Sequence, residues 1–180
     1  VASRLALRRA PHCVDYPGFG TRPASRTVTS LDTLTRLLAS EAPQRFDLVA
    51  LSMGAAVALR LALGYPERVR KLVLVTVAAG IDVVKLGGVD VRPSIRRARP
   101  RDPMLFVEDT VDFGDRLGAI LAPTLLVFGD RDPVSPVAVG EYLLGRLPDA
   151  RLEIVPGGTH DVESEFPDLI ASLIEAHLRR

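Results

Sequence analysis

One serine, one histidine and a pair of aspartates stand where this sequence could do chemistry. The serine is Ser52, in the run Leu48-Val-Ala-Leu-Ser-Met-Gly-Ala-Ala-Val-Ala-Leu59. An apolar strand pattern ends at Ser52, and a helical pattern of small residues begins at once. A turn that tight forces the serine into a strained backbone conformation and demands small residues two positions to either side. Ala50 and Gly54 meet that demand. The hydroxyl is then lifted out of the sheet and set at a helix N-terminus. There the amide of Met53 and the helix dipole can stabilise a developing oxyanion.

A serine hydroxyl is a poor nucleophile until a base takes its proton. Three histidines are available. His177 falls on the apolar side of the last helical pattern, where a packed histidine is expected. His12 opens a strand pattern, at the wrong end of a sheet for a site built on strand C-termini. His160 follows a strand pattern and the flexible Pro156-Gly157-Gly158-Thr159 turn, so elimination and position both select it. The imidazole needs a carboxylate to orient it. Phe128-Gly129-Asp130-Arg131-Asp132-Pro133 sits just after another apolar run, and either Asp130 or Asp132 could serve.

The elements that must position these groups alternate between strand and helix. Strands are expected over His12 to Asp15, Phe46 to Leu51, Leu72 to Val77, Pro123 to Phe128 and Arg151 to Val155. Their runs are apolar throughout, as in parallel strands buried on both faces. Ser30 can cap a helix with Leu31, Leu34, Leu37 and Leu38 on one face. Met53 to Leu63 reads as a helix ending at Gly64, with Pro66 beyond it. Residues 1–9 and the repeat from Phe166 to His177 complete the helices. This alternation implies an α/β fold, a mostly parallel sheet flanked by helices.

Composition agrees with one globular domain over residues 1–180, 47% hydrophobic and 25% charged. A formal net charge of +1 gives no global field to hold a nucleic acid or an acidic membrane. The longest apolar stretch, Leu48 to Leu59, is too short for a membrane span, which needs roughly 20 residues. A single cysteine, Cys13, can form no internal disulfide and no cysteine-rich metal site. With no signal-peptide pattern at the start, a cytoplasmic location is expected. One region breaks the alternation. Residues 81–122 form a long connection with weak periodicity and clustered Arg92, Arg96, Arg97, Arg99 and Arg101, which reads as an insertion or lid. No aromatic residues interleave with those charges, so a solvated surface segment is expected in place of a nucleic-acid groove.

In these motifs the chain resembles the α/β-hydrolase fold family over nearly its whole length. Asp15-Tyr-Pro-Gly-Phe-Gly20 looks like the D-x-P-G-x-G segment after the family's fourth strand. Ala50-Leu-Ser-Met-Gly54 is similar to the G-x-S-x-G nucleophile elbow, departing by one methyl group at Ala50. Leu72-Val-Leu-Val and Ala78-Ala-Gly80 resemble the end of the sixth strand. Ala122 to Pro133 resembles the acid loop, whose second aspartate is the family's acid, hence Asp132. Pro156-Gly-Gly-Thr-His160 resembles the histidine loop. The order Ser, Asp, His is the family's order as well.

The resemblance implies a serine hydrolase of the esterase kind, with Ser52 as nucleophile, His160 as base, Asp132 as its orienting acid and the Met53 amide in the oxyanion hole. No cofactor and no metal enter that chemistry, and the partner is a small-molecule substrate. The segment 81–122 would be a cap shorter than in many relatives. The family also has three strands ahead of residues 1–9, the third ending in a His-Gly loop that donates a second oxyanion amide; neither stands in these 180 residues. The expected architecture is thus a truncated α/β-hydrolase fold with a short cap. Weak activity and self-association through an unpaired sheet edge beside Phe46 to Leu51 are expected with it. The competing expectation is a fragment or pseudoenzyme of this fold with little or no catalysis.

Overall fold

The computed structural model describes residue 4, residues 11–100 and residues 103–179. Among these, four strands form one parallel sheet in the order β1-β2-β3-β4: Phe46–Leu51, Val69–Val75, Thr124–Gly129 and Ala150–Val155. The register pairs Leu51 with Val75, Val75 with Val127, and Gly129 with Val155, so all four strands end along one edge. Helices α1 (Leu31–Glu41), α2 (Ala55–Gly64) and α5 (Val137–Leu144) occur with short α3 (Arg92–Ala98) and α4 (Leu105–Glu108). A one-turn α6 (Val162–Glu165) leads into the last helix, α7 (Pro167–Arg179).

Side chains of a strand alternate between faces, and both faces of this sheet are covered. Leu72, Leu74, Leu126 and Phe128 point to the layer of α1, α2 and α5, where they meet Leu34, Leu59 and Leu143. Val73, Val75, Leu125 and Val127 point to the other face, against Ile170 and Ile174 of α7. Each of these large side chains contributes about 1.5–3 kcal/mol by leaving water. Helix α1 starts as its sequence requires: Thr33 N–H donates to Ser30 Oγ at 3.2 Å, and Ser30 N–H donates to Thr33 Oγ1 at 3.0 Å.

Three expectations change. Residues 12–15 form no strand, since no strand among the described residues pairs with them. β1 is the edge strand, as expected among the described residues, but it is half-buried and not buried on both faces, with Val49 and Leu51 exposed. The expected helix from Met53 begins as a single 3₁₀ turn over Ser52–Gly54 before α2, and Gly64 is its last residue. The helix expected over residues 1–9 lies outside the described residues apart from Arg4, which pairs with Asp168 at 2.9 Å. Arg101 lies outside them too.

The connection 81–122 is folded onto α2 through one buried cation. Arg60, the single charged residue of α2, donates to Asp109 at 2.5 Å, to Asp32 at 2.8 Å and to the Ala56 carbonyl at 3.0 Å. Its guanidinium also lies 5.0 Å from the centre of the Phe113 ring. The arginines of α3 face solvent, except half-buried Arg92, which pairs with Asp90. No helix among the described residues is long and apolar enough to cross a membrane.

Candidate active site

The strand ends bring together the residues singled out by sequence. Ser52 follows β1 directly and has φ 51°, a left-handed conformation that costs a non-glycine residue about 1–3 kcal/mol. The tightness of the elbow is thereby met, but its demand on residue 54 is looser than expected. A Cβ placed on Gly54 would sit 3.9 Å from the Ala50 Cβ and 3.9 Å from the Tyr16 hydroxyl, ordinary contact distances.

Ser52 Oγ lies 2.7 Å from His160 Nε2, and His160 Nδ1 lies 2.8 Å from Asp132 Oδ2. The Asp132 side chain is fully buried, whereas that of His160 keeps 24% of its surface. Asp132 Oδ1 accepts the N–H groups of Val134 at 2.8 Å and Ser135 at 3.0 Å. A carboxylate with every oxygen accepting puts the imidazole proton on Nδ1. Nε2 is then the lone pair that accepts the Ser52 hydroxyl proton. Met53, next in the chain, opens the turn into α2, where the first N–H groups of a helix lack intrahelical partners.

The two aspartates divide the work. Asp132 faces the imidazole, and Asp130 Oδ1 accepts Gly157 N–H at 2.6 Å, anchoring the histidine loop. Between them the loops touch through backbone. Arg131 N–H donates to the Gly158 carbonyl at 2.9 Å, and a Cβ on Gly129 would overlap that same carbonyl. Only glycine permits the approach. Glu165, in α6, closes the loop from beyond: its two oxygens accept Thr159 N–H at 2.8 Å and Thr159 Oγ1–H at 2.7 Å. Those bonds hold the Glu165 carboxyl below the usual carboxylate range.

The other two histidines stand apart. His12 is exposed. His177 is buried at the opposite end of the sheet, where its Nε2–H donates to the Pro123 carbonyl at 3.0 Å. Burial pushes its pKa below the ordinary histidine value.

Sequence reasoning missed Glu165 and Ser135. An aspartate whose side chain accepts N–H groups two and three residues on makes an Asx turn, and Asp132-Pro-Val-Ser135 carries that signal. Nothing local marks Glu165. A cavity of about 310 Å³ lies between the turn after β2 and the connection, walled by Ala78, Lys85, Arg92, Phe106 and Asp109; none of Ser52, Met53, Asp132 and His160 lines it. Ala78 N–H donates to the Ser52 carbonyl at 3.3 Å.

Known proteins agree with this architecture. Residues 1–113 match the alpha/beta hydrolase family. A pimeloyl-acyl-carrier-protein methyl ester esterase of Nitrosomonas europaea is 29% identical over 224 positions, spanning 98% of this chain and 88% of that protein. The match is longer than the chain itself, so the relative carries residues inside the matched span that this chain lacks. The enzyme of the same name from Chromobacterium violaceum is 27% identical, spanning 97% of this chain and 86% of its own. Among solved structures, an alpha/beta hydrolase from a Medee basin deep-sea metagenome library superposes with a TM-score of 0.75 at 18% identity, covering 92% of this chain and 78% of its own. A thermophilic esterase from Thermogutta terrifontis gives 0.71 at 22% identity, with the same shares covered. Sheet order, strand-end site and the match of residues 1–113 together place this chain in the alpha/beta hydrolase family.

Proposed function

We propose that this chain is a serine esterase acting through Ser52, His160 and Asp132. The observation that carries the reading is the continuous relay of 2.7 Å and 2.8 Å from the Ser52 hydroxyl through the imidazole to a buried carboxylate. Ser52 Oγ attacks the acyl carbonyl as His160 Nε2 takes its proton, and Asp132 balances the imidazolium that forms. The N–H of Met53 receives the oxyanion. Collapse of the tetrahedral intermediate expels the alcohol, which leaves with the proton from His160. Water, deprotonated by the same nitrogen, then frees the acyl group and restores Ser52.

Two relatives named as esterases of a methyl ester support the substrate class. We assign the chain to acyl esters of a small alcohol. In this reading residues 81–122 are a short cap over the strand-end site. The test is a panel of methyl esters of increasing acyl length, with fluorophosphonate labelling and a Ser52→Ala control. Turnover and a label on Ser52, both absent in the control, support the reading. A label elsewhere, or turnover that survives in Ser52→Ala, overturns it. A folded chain that neither labels nor turns over is a hydrolase fold without catalysis.

A further inference from the structure

One fully buried hydroxyl, outside the relay itself, binds two of its supports together. Ser135 stands three residues after Asp132 and has no exposed surface. Its N–H donates to Asp132 Oδ1 at 3.0 Å, and its Oγ–H donates to the Val77 carbonyl at 2.5 Å. Val77 belongs to the turn that follows β2. On either side of it, Thr76 N–H donates to the Val127 carbonyl at 2.9 Å and Ala78 N–H donates to the Ser52 carbonyl at 3.3 Å. Three successive residues therefore grip β3, the acid loop and the nucleophile.

This turn is strained. Thr76 has φ 45°, and it shares positive φ with Ser52 alone among the described non-glycine residues. A β-branched residue in that region persists only where its surroundings over-determine it. The Thr76 side chain does not compensate, since its buried Oγ1 has no hydrogen-bond partner. What holds the turn is the set of bonds around it, and of the three named only the one from Ser135 comes from a side chain.

We propose that Ser135 is a positioning residue for the hydrolysis, resting on the Ser52–His160–Asp132 reading above. Its hydroxyl fixes the Val77 carbonyl and so sets Ala78 N–H against the Ser52 carbonyl, while its own N–H holds Asp132. One residue thus keeps nucleophile and acid in mutual register, although it touches neither substrate nor imidazole. Loss of the hydroxyl leaves a buried carbonyl unpaired and frees the turn to relax. A misplacement near 1 Å costs about 10²-fold in rate.

The experiment compares Ser135→Ala, Ser135→Thr and Ser135→Val. Threonine keeps the hydroxyl and valine has nearly its shape without it; alanine, smaller than serine, serves if the larger pair disturbs folding. For each, kcat and KM are measured on a short acyl methyl ester, with the rate of fluorophosphonate labelling at Ser52, well below the melting transition. The expected result is a ~10–10²-fold loss of kcat and of labelling rate in Ala and Val, with KM unchanged and Thr close to wild type. Variants that melt earlier yet keep wild-type kcat and labelling overturn the proposal, because that is a purely structural role. So does a Thr variant as slow as Val. Failure of the underlying reading shows separately, as a wild-type chain whose Ser52 does not label.

Discussion

Asparagine substitution at the two aspartates separates their roles, and the structure sets the size of each effect. Asp132 is buried, with Oδ1 accepting two backbone N–H groups and Oδ2 facing His160 Nδ1. In Asp132→Asn only the amide oxygen can keep the two backbone bonds, so the amide nitrogen must face Nδ1. A donor there excludes a proton on Nδ1. The imidazole then carries its proton on Nε2 and points a donor at Ser52 Oγ, where an acceptor is needed. In a well-studied triad that tautomer change lowers kcat about 10⁴-fold, or about 5 kcal/mol at 1.36 kcal/mol per decade. Asp130 is exposed and, among the described residues, accepts from Gly157 N–H alone, a bond an amide oxygen can also accept. Asp130→Asn is expected to stay within about threefold of wild type, since a neutral acceptor replaces a charged one at the surface. Steady-state hydrolysis of a short acyl methyl ester measures both. Equal losses in the two variants, or an Asp132→Asn enzyme keeping roughly a tenth of kcat, would refute the assignment.

Asp109→Ala leaves the Arg60 guanidinium, 6% exposed, with the largely solvated Asp32 as its one counter-charge among the described residues. The expected cost is about 3 kcal/mol, read as a fall in Tm of roughly 6–12 °C; a loss below about 1 kcal/mol would show that Asp32 suffices. Gly129→Ala drives a Cβ into the Gly158 carbonyl and should abolish turnover or folding. Gly64→Ala, with nothing within 4 Å of the new methyl, should stabilise by about 0.5–1 kcal/mol in a chemical melt. His177, whose pKa burial depresses, favours the neutral form in the folded chain. Its share of stability is complete above the unfolded value of about 6.5 and is lost as pH falls through the lower folded value. His177→Gln keeps a donor for the Pro123 carbonyl, so its urea stability should decline less between about pH 6.5 and 4 than the wild type's.

Much of this was legible in the chain. Parallel strands covered on both faces read as apolar runs, which is why β2 and β3 stood out. His160 was found because only one histidine followed a strand through a flexible turn. Choosing Asp132 over Asp130 needed the family resemblance, since both residues look alike locally, and three dimensions showed that both serve the histidine loop. The strand expected over residues 12–15 failed for a different reason. Its composition suits a strand, but a strand exists only against a neighbour, and pairing is not a local property. Ser135 and Glu165 act on groups brought near by the fold, Val77 being 58 residues from Ser135. No periodicity encodes such a contact.

The way the chain enters and leaves residues 81–122 bears on how such enzymes diversify. At the entrance, Gly80 has φ 85°, and a Cβ there would meet the Leu59 side chain at 2.8 Å and the Ala56 Cα at 3.1 Å. At the exit, Ile120 and Ala122 are buried and lead straight into β3. Both junctions are thus pinned to the core. Between them Val83, Val107, Phe113 and Leu117 are also buried and Asp109 holds Arg60, so the part that can change without unpicking the core is the exposed arc about α3. On the esterase proposal, grafting such an arc from a relative is expected to change acyl preference while Ser52 still labels.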